Sequence, residues 1–202
     1  MSSTVIIQFA KLPVLGKVKT RLQDTLGEDG CLSLHENLVQ HTANEILRTN
    51  FSSALFITEQ KSHPLMDRLA DSMSLMVQEG EDLGERMYRA FQWGLAQYDR
   101  VILVGSDCPV ITTRHYELVN KSLEENDFCF IPAEDGGYVL VAAKKLDAEI
   151  FRGINWGTDK VWQQTQEKLK GKSVAVLEPL WDVDRSDDFN RLKQTIPSLC
   201  VL

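Results

Sequence analysis

The chain contains no run of eighteen or more apolar residues, so its sequence predicts no membrane-spanning helix. It is poor in cysteine: Cys31, Cys108, Cys129 and Cys200 are far apart, and no two form a CxxC pair. That spacing gives no support to a zinc ribbon or a thioredoxin motif. Reduced thiols in the cytoplasm are the expectation. The first residues, Met1-Ser2-Ser3-Thr4, lack the basic region and apolar stretch of a signal peptide, which again points to a cytoplasmic location. An excess of positive charge is missing as well. The formal net charge is -7, whereas a nucleic-acid binder needs a basic footprint, so no nucleic-acid partner is expected. No repeat, low-complexity tract or linker interrupts the 202 residues, a length that suits one α/β domain over 1–202.

The charge that is present is unevenly spread. Lys11, Lys17, Lys19 and Arg21 fall within residues 11–21 with no acid among them. The remainder therefore carries -11, the whole-chain -7 less the loop's +4. A cationic loop in an acidic protein can hold a small polyanion such as a nucleotide phosphate.

Apolar periodicity predicts alternating strands and helices. Strands are expected at 5–9, 54–58, 75–77, 101–104, 128–131, 138–142 and 174–177. Helices are expected near 28–49, 63–72, after Asp82, 112–125, 158–170 and 187–195. Such alternation builds a mostly parallel sheet covered on both faces. Asp135-Gly136-Gly137, between two strands, suggests that one strand runs antiparallel. Ligands of such sheets bind beyond the carboxyl ends of the strands.

Four segments carry candidate chemistry. The loop after the first strand offers Gly16 for close backbone approach and Lys17, Lys19 and Arg21 for charge, Arg21 with bidentate geometry. Lys19-Thr20 also resembles the end of a P-loop, but Pro13 and Val18 stand where that motif requires glycine. In Gly105-Ser106-Asp107-Cys108-Pro109, Asp107 at a strand tip suits a divalent cation, which takes one or two protein carboxylates. A turn or cap role suits it as well. Cys108 reads as a buried spacer or a nucleophile. Around Asp135-Gly136-Gly137-Tyr138, the choice lies between a hairpin turn and a substrate loop, with Asp135 free to meet a sugar hydroxyl or assist a metal. In Trp181-Asp182-Val183-Asp184, the two acids share a face of an extended segment, and one could meet Asp107. Ser186 or Asp187 is expected to cap the last helix. Trp156, between Asn155 and Gly157, can stack on a sugar or base or belong to the core.

Taken together, Phe9-Ala10-Lys11-x-Pro13-x-x-Gly16-Lys17-Val18-Lys19-Thr20-Arg21-Leu22, Gln78-x-Gly80-x-Asp82-Leu83-Gly84-Glu85-Arg86-Met87, Gly105-Ser106-Asp107-Cys108-Pro109, Asp135-Gly136-Gly137-Tyr138 and Asp182-Val183-Asp184 resemble one group. It is the GT-A-type nucleotide-diphospho-sugar transferases, and within them the radical-SAM/selenodomain-associated transferase 1-like proteins. The resemblance implies a three-layer α/β/α sandwich with a Rossmann-like nucleotide half. It implies nucleotide binding by Ala10, Lys11, Gly16, Lys17, Lys19 and Arg21, with Gly84 and Arg86 brought to the crevice. Asp107 and Asp184 would hold Mg2+ or Mn2+. Asp107 and Asp135 are the catalytic candidates, and Gly136, Gly137, Tyr138 and Trp156 would line the substrate side. The donor would be a nucleotide or nucleotide-sugar and the acceptor a small molecule. First-loop glycine is scarcer here than in nucleotidyltransferases, which leaves glycosyl and nucleotidyl transfer both open. A catalytically idle nucleotide-sensing or partner-binding module on the same fold is the alternative.

Overall fold

The computed structural model describes residues 3–201. The first strand, β1 (Thr4–Ala10), is buried along its whole length, as expected for a β-branched run at the centre of a covered sheet. It is followed in sequence by β2 (Ser52–Ile57), β3 (Ser74–Val77), β4 (Arg100–Val104), β5 (Phe128–Pro132), β6 (Tyr138–Ala143) and β7 (Val174–Val176). They form a seven-stranded sheet in the order β3-β2-β1-β4-β6-β5-β7. Only β6 runs antiparallel to its neighbours β4 and β5; the other pairs are parallel.

Helices α1 (Gln23–Leu47), α2 (Pro64–Ala70) and α4 (Thr113–Glu125) cover one face. There, Ile6, Leu55, Ile102 and Ala142 pack against Val39, Met66, Tyr116 and Val119. Helices α3 (Leu83–Leu95) and α5 (Val161–Lys168) cover the other, where Val5, Phe56, Leu103 and Phe130 meet Met87, Phe91 and Trp162. The last helix, α6 (Ser186–Thr195), packs on α1 through Leu34, Leu38, Phe189 and Leu192. This is the expected α/β sandwich with one antiparallel strand.

Boundaries depart from the sequence reading where local hydrogen bonds compete with the helix. The start of α5 is delayed because the Thr158 hydroxyl donates to the Asn155 carbonyl at 2.8 Å, tying 155–158 into a turn. Neither Ser186 nor Asp187 caps α6. Asp188 Oδ2 takes the backbone N–H groups of Arg185 (2.7 Å) and Asp184 (3.1 Å) instead. Thr112 does precede α4 as its N-cap, with His115 Nδ1 accepting its N–H. Among the described residues, no helix is long and apolar enough to cross a membrane.

Candidate active site

Register places the site. Gln8 pairs with Val104, so the chain leaving β1 at Ala10 and the chain leaving β4 at Gly105 emerge side by side. Gln8 is a polar residue buried inside an apolar strand, and it has a task there. Its Nε2 donates to the Val39 carbonyl (3.0 Å) and to Ser106 Oγ (2.9 Å), and Ser106 Oγ donates to the Phe9 carbonyl (2.8 Å). These bonds satisfy the Gln8 amide N–H groups and the Ser106 hydroxyl and fix the turn that presents Asp107. The chain enters the antiparallel β6 at this edge: the Val139 carbonyl accepts from the Gly105 N–H at 3.1 Å, which brings Tyr138 to the same edge. The segment before α6 closes it: Leu180 bridges Ala133, and the Val183 N–H donates to the Asp107 carbonyl at 2.9 Å.

A crevice of about 750 Å³ opens over this edge. Of the sequence candidates, Lys11, Arg21, Asp107, Asp135, Gly137, Tyr138, Trp156 and Asp184 line it. Tyr138 and Trp156 meet edge to face with centroids 6.3 Å apart, and Trp156 is half-buried, so its ring serves both wall and core. Burial raises the Tyr138 phenol above its ordinary pKa, and its hydroxyl lies 3.8 Å from Met87 Sδ.

The acids differ sharply in environment. Burial works to raise the Asp107 pKa, but the Lys19 ammonium, with His35 and Lys11, outweighs it and leaves the carboxyl below its ordinary value. Asp182 goes the other way. Burial, then the carboxylates of Asp135 and Asp107, push it up to about 6. Of the two alternating acids, Asp182 is thus the one coupled to Asp107, while Asp184 is bonded to Arg21. Asp135 Oδ1 accepts the Gly137 N–H at 2.9 Å, holding the hairpin loop. Among the described residues, no three His, Cys, Asp or Glu side chains converge as a metal cage. A one-carboxylate site of the kind Mg2+ accepts, completed by phosphate and water, fits Asp107, which is ionised and 52% exposed to the crevice.

Other candidates do different work. Ala10 ends β1, its carbonyl accepting from Gln78 Nε2 at 3.3 Å. Gly16 sits in a turn closed by the Lys17 N–H to the Val14 carbonyl, and Lys17 points to solvent. Lys19 is turned inward. Arg86 donates to the Gly80 carbonyl at 3.1 Å and stays half-buried under the turn before α3. Gly84 does meet a close neighbour, but it is the protein itself: a Cβ there would lie 2.6 Å from the Phe151 carbonyl oxygen and 2.7 Å from Trp156 Nε1. Gly136 is packed on the backbone of Asp159 in the same manner. Burial pushes the Cys108 thiol up to about 12, which removes it as a nucleophile.

Gln8, Ser106 and His35 were not singled out as site residues by sequence, and Asp182 was named only as one of two acids that could meet Asp107. A glutamine between Val5-Ile6-Ile7 and Phe9 was the available signal for the first. His35, buried on α1, gives no pattern signal. Its Nε2 bonds the Lys11 carbonyl at 3.0 Å, which requires the proton on that nitrogen, and burial lowers its pKa.

Residues 42–158 match the family described as "Uncharacterized protein conserved in bacteria (DUF2064)". The chain belongs to that family. It is similar to a crystal structure from Desulfovibrio desulfuricans G20, a protein assigned to the nucleotide-diphospho-sugar transferases. That match has 33% identity and a TM-score of 0.88, and covers 96% of this chain and 88% of the other. Two more distant structures share the fold. One is a CMP:2-keto-3-deoxy-manno-octonic acid synthetase complexed with CTP (12% identity, TM-score 0.60, 98% and 99% covered). The other is Rv0371c of Mycobacterium tuberculosis H37Rv in complex with manganese (15% identity, TM-score 0.56, 97% and 100% covered). A search of the curated proteins finds no match to this chain.

Proposed function

We propose that the chain is a divalent-metal-dependent transferase that uses a nucleotide or nucleotide-sugar donor and moves a glycosyl or nucleotidyl group to a small acceptor. The observation that carries this reading is the layout of the crevice. Lys11, Arg21 and Asp107 stand at the carboxyl ends of β1 and β4, opposite the aromatic wall of Tyr138 and Trp156. The similarity to the Desulfovibrio protein supports it, and so does the motif resemblance to the radical-SAM/selenodomain-associated transferase 1-like group.

In this reading Arg21 and Lys11 bind the donor phosphates, Arg21 through paired N–H groups. Asp107 holds Mg2+ or Mn2+, with Asp182 or Asp184 as second acid. When bound, the ion offsets the charge that develops on the departing phosphate. Tyr138, Trp156 and the Gly136-Gly137 backbone flank the acceptor. Asp135, exposed on its hairpin, accepts the proton of an attacking hydroxyl. Displacement is direct in this reading, and the Cys108 thiol next to Asp107 is buried and protonated, so it forms no covalent intermediate.

Thermal denaturation with a panel of nucleotides and nucleotide-sugars, with and without Mn2+, tests the reading, since a true ligand raises the melting temperature. A rise that needs Mn2+ and disappears in Asp107→Asn is expected. If no nucleotide stabilises the folded protein, the donor reading fails. Stabilisation without turnover of any bound donor would instead make the chain a sensing module.

A further inference from the structure

Lys19 has an environment unlike that of a phosphate ligand. Its Nζ donates to Asp107 Oδ1 and to the Val183 carbonyl, each at 2.5 Å. The lysine side chain is only 4% exposed, against 52% for Asp107. The carboxylate therefore faces the crevice while the ammonium reaches it from behind, inside the protein. Val183 completes a triangle, since its own N–H bonds the Asp107 carbonyl at 2.9 Å. The backbone is specialised too. Lys19 has φ +49 and ψ 35, the left-handed region, and among the described residues no other non-glycine has positive φ. A left-handed lysine is strained and persists only where its surroundings hold it. Here the Leu22 N–H (2.8 Å) and Cys31 Sγ (3.3 Å) both donate to its carbonyl.

We propose that Lys19 is a tethered counter-cation for Asp107, which a divalent ion must displace before it can use that carboxylate. The proposal rests on the reading of Asp107 as the metal acid. A buried ammonium needs an anionic partner, and a carboxylate left without one repels the neighbouring Asp135 and Asp182. Lys19 meets both needs in the metal-free protein. An arriving ion meets a positive charge 2.5 Å from one oxygen of the carboxylate it would bind, so the ion alone binds weakly. Donor phosphates restore the balance by supplying the anion that the displaced ammonium lost. Ion and nucleotide then strengthen each other's binding by the same factor.

Mn2+ binding to the nucleotide-free protein, followed by the electron paramagnetic signal of the free ion, tests this. Lys19→Met should tighten Mn2+ binding about tenfold or more, within the usual range of site couplings. Lys11→Met removes one cation from the same crevice without touching the Lys19–Asp107 contact, and should tighten it less than about threefold, since unpaired charge is screened by salt. Equal effects of the two variants, weaker binding in Lys19→Met, or no binding by either overturns the proposal. Asp107→Asn separates the two layers. If wild-type Mn2+ binding survives it, the metal reading of Asp107 is wrong; if it does not, and Lys19→Met still fails to tighten binding, only the counter-cation is wrong. A second measurement needs no variant. Acetic anhydride should spare Lys19 in the ion-free protein and modify it several-fold faster at saturating Mn2+, read by peptide mass. Unchanged protection at saturation overturns the displacement.

Discussion

At the scale of single residues, Arg21 and Asp182 carry the clearest expectations. Arg21 lines the crevice with 58% of its side chain exposed and bonds Asp184. An exposed ion pair of this kind contributes at most about 1 kcal/mol to stability. A charge-assisted bond to phosphate is worth about 1.5–3 kcal/mol. Arg21→Ala should therefore weaken nucleotide binding about tenfold or more while the protein stays folded. Calorimetric titration reads both, and unchanged affinity would remove the loop from the site. Asp182 titrates in the folded protein near 6, against an ordinary 3.8. Between those values the folded state holds a proton that the unfolded state has lost. Its contribution to stability is thus complete at low pH, declines as pH rises from about 4 to about 6, and is absent above. Asp182→Asn should remove that decline and leave the metal-free protein about 1–2 kcal/mol more stable at pH 7, a figure lowered for the group's partial solvation. Urea titrations in chelator at several pH values would show it. An unchanged pH slope would mean that burial and the neighbouring carboxylates do not raise Asp182.

At the scale of elements, α3 lines the crevice through Leu83 and Met87, while Gly84 and Arg86 do not line it. Asp82 caps the helix, accepting the Glu85 N–H at 2.8 Å, and Glu85 accepts the Glu81 N–H at 3.0 Å. Gly84 in that first turn admits Trp156 and the backbone of Phe151. The glycine therefore sets the position of the aromatic wall. Gly84→Ala adds a Cβ that neither a carbonyl nor a fixed indole can avoid. A loss of about 1–3 kcal/mol is expected, the usual range for overpacking. Tryptophan emission should shift as Trp156 is displaced. A variant with wild-type stability and emission would show that the contact yields easily. The β5–β6 hairpin was readable from Asp135-Gly136-Gly137, but its close packing on Asp159 was not, because residues 136 and 159 meet only after α5 docks.

At the scale of the whole molecule, donor binding should appear as global stabilisation. A ligand at a hundred times its dissociation constant adds about 2.7 kcal/mol. For a protein of this size each kcal/mol raises the melting temperature about 2–4 °C, so a shift of roughly 5–10 °C is expected with the correct nucleotide and Mn2+. The net charge of -7 makes this local. An acidic protein attracts a polyanion where cations gather, and Lys11 and Arg21 supply such a place at the crevice.

Strand and helix order, the mostly parallel sheet, the antiparallel β6 and the nearness of the β1 loop to Asp107 were determined by sequence alone. Apolar period and turn residues act over a few positions, and parallel strands must end at one edge. Which acid couples to Asp107, where Lys19 points, what Gly84 accommodates and how Gln8 holds the Asp107 turn were decided only by tertiary structure. Each depends on groups 31 to 164 residues apart along the chain, such as Gln8 with Val39 and Lys19 with Val183, whose distances no local pattern encodes. A lysine read as a free cation became a buried partner because the segment before α6 folds back over it. Charge is a property of the residue, but the partner that neutralises it is a property of the fold.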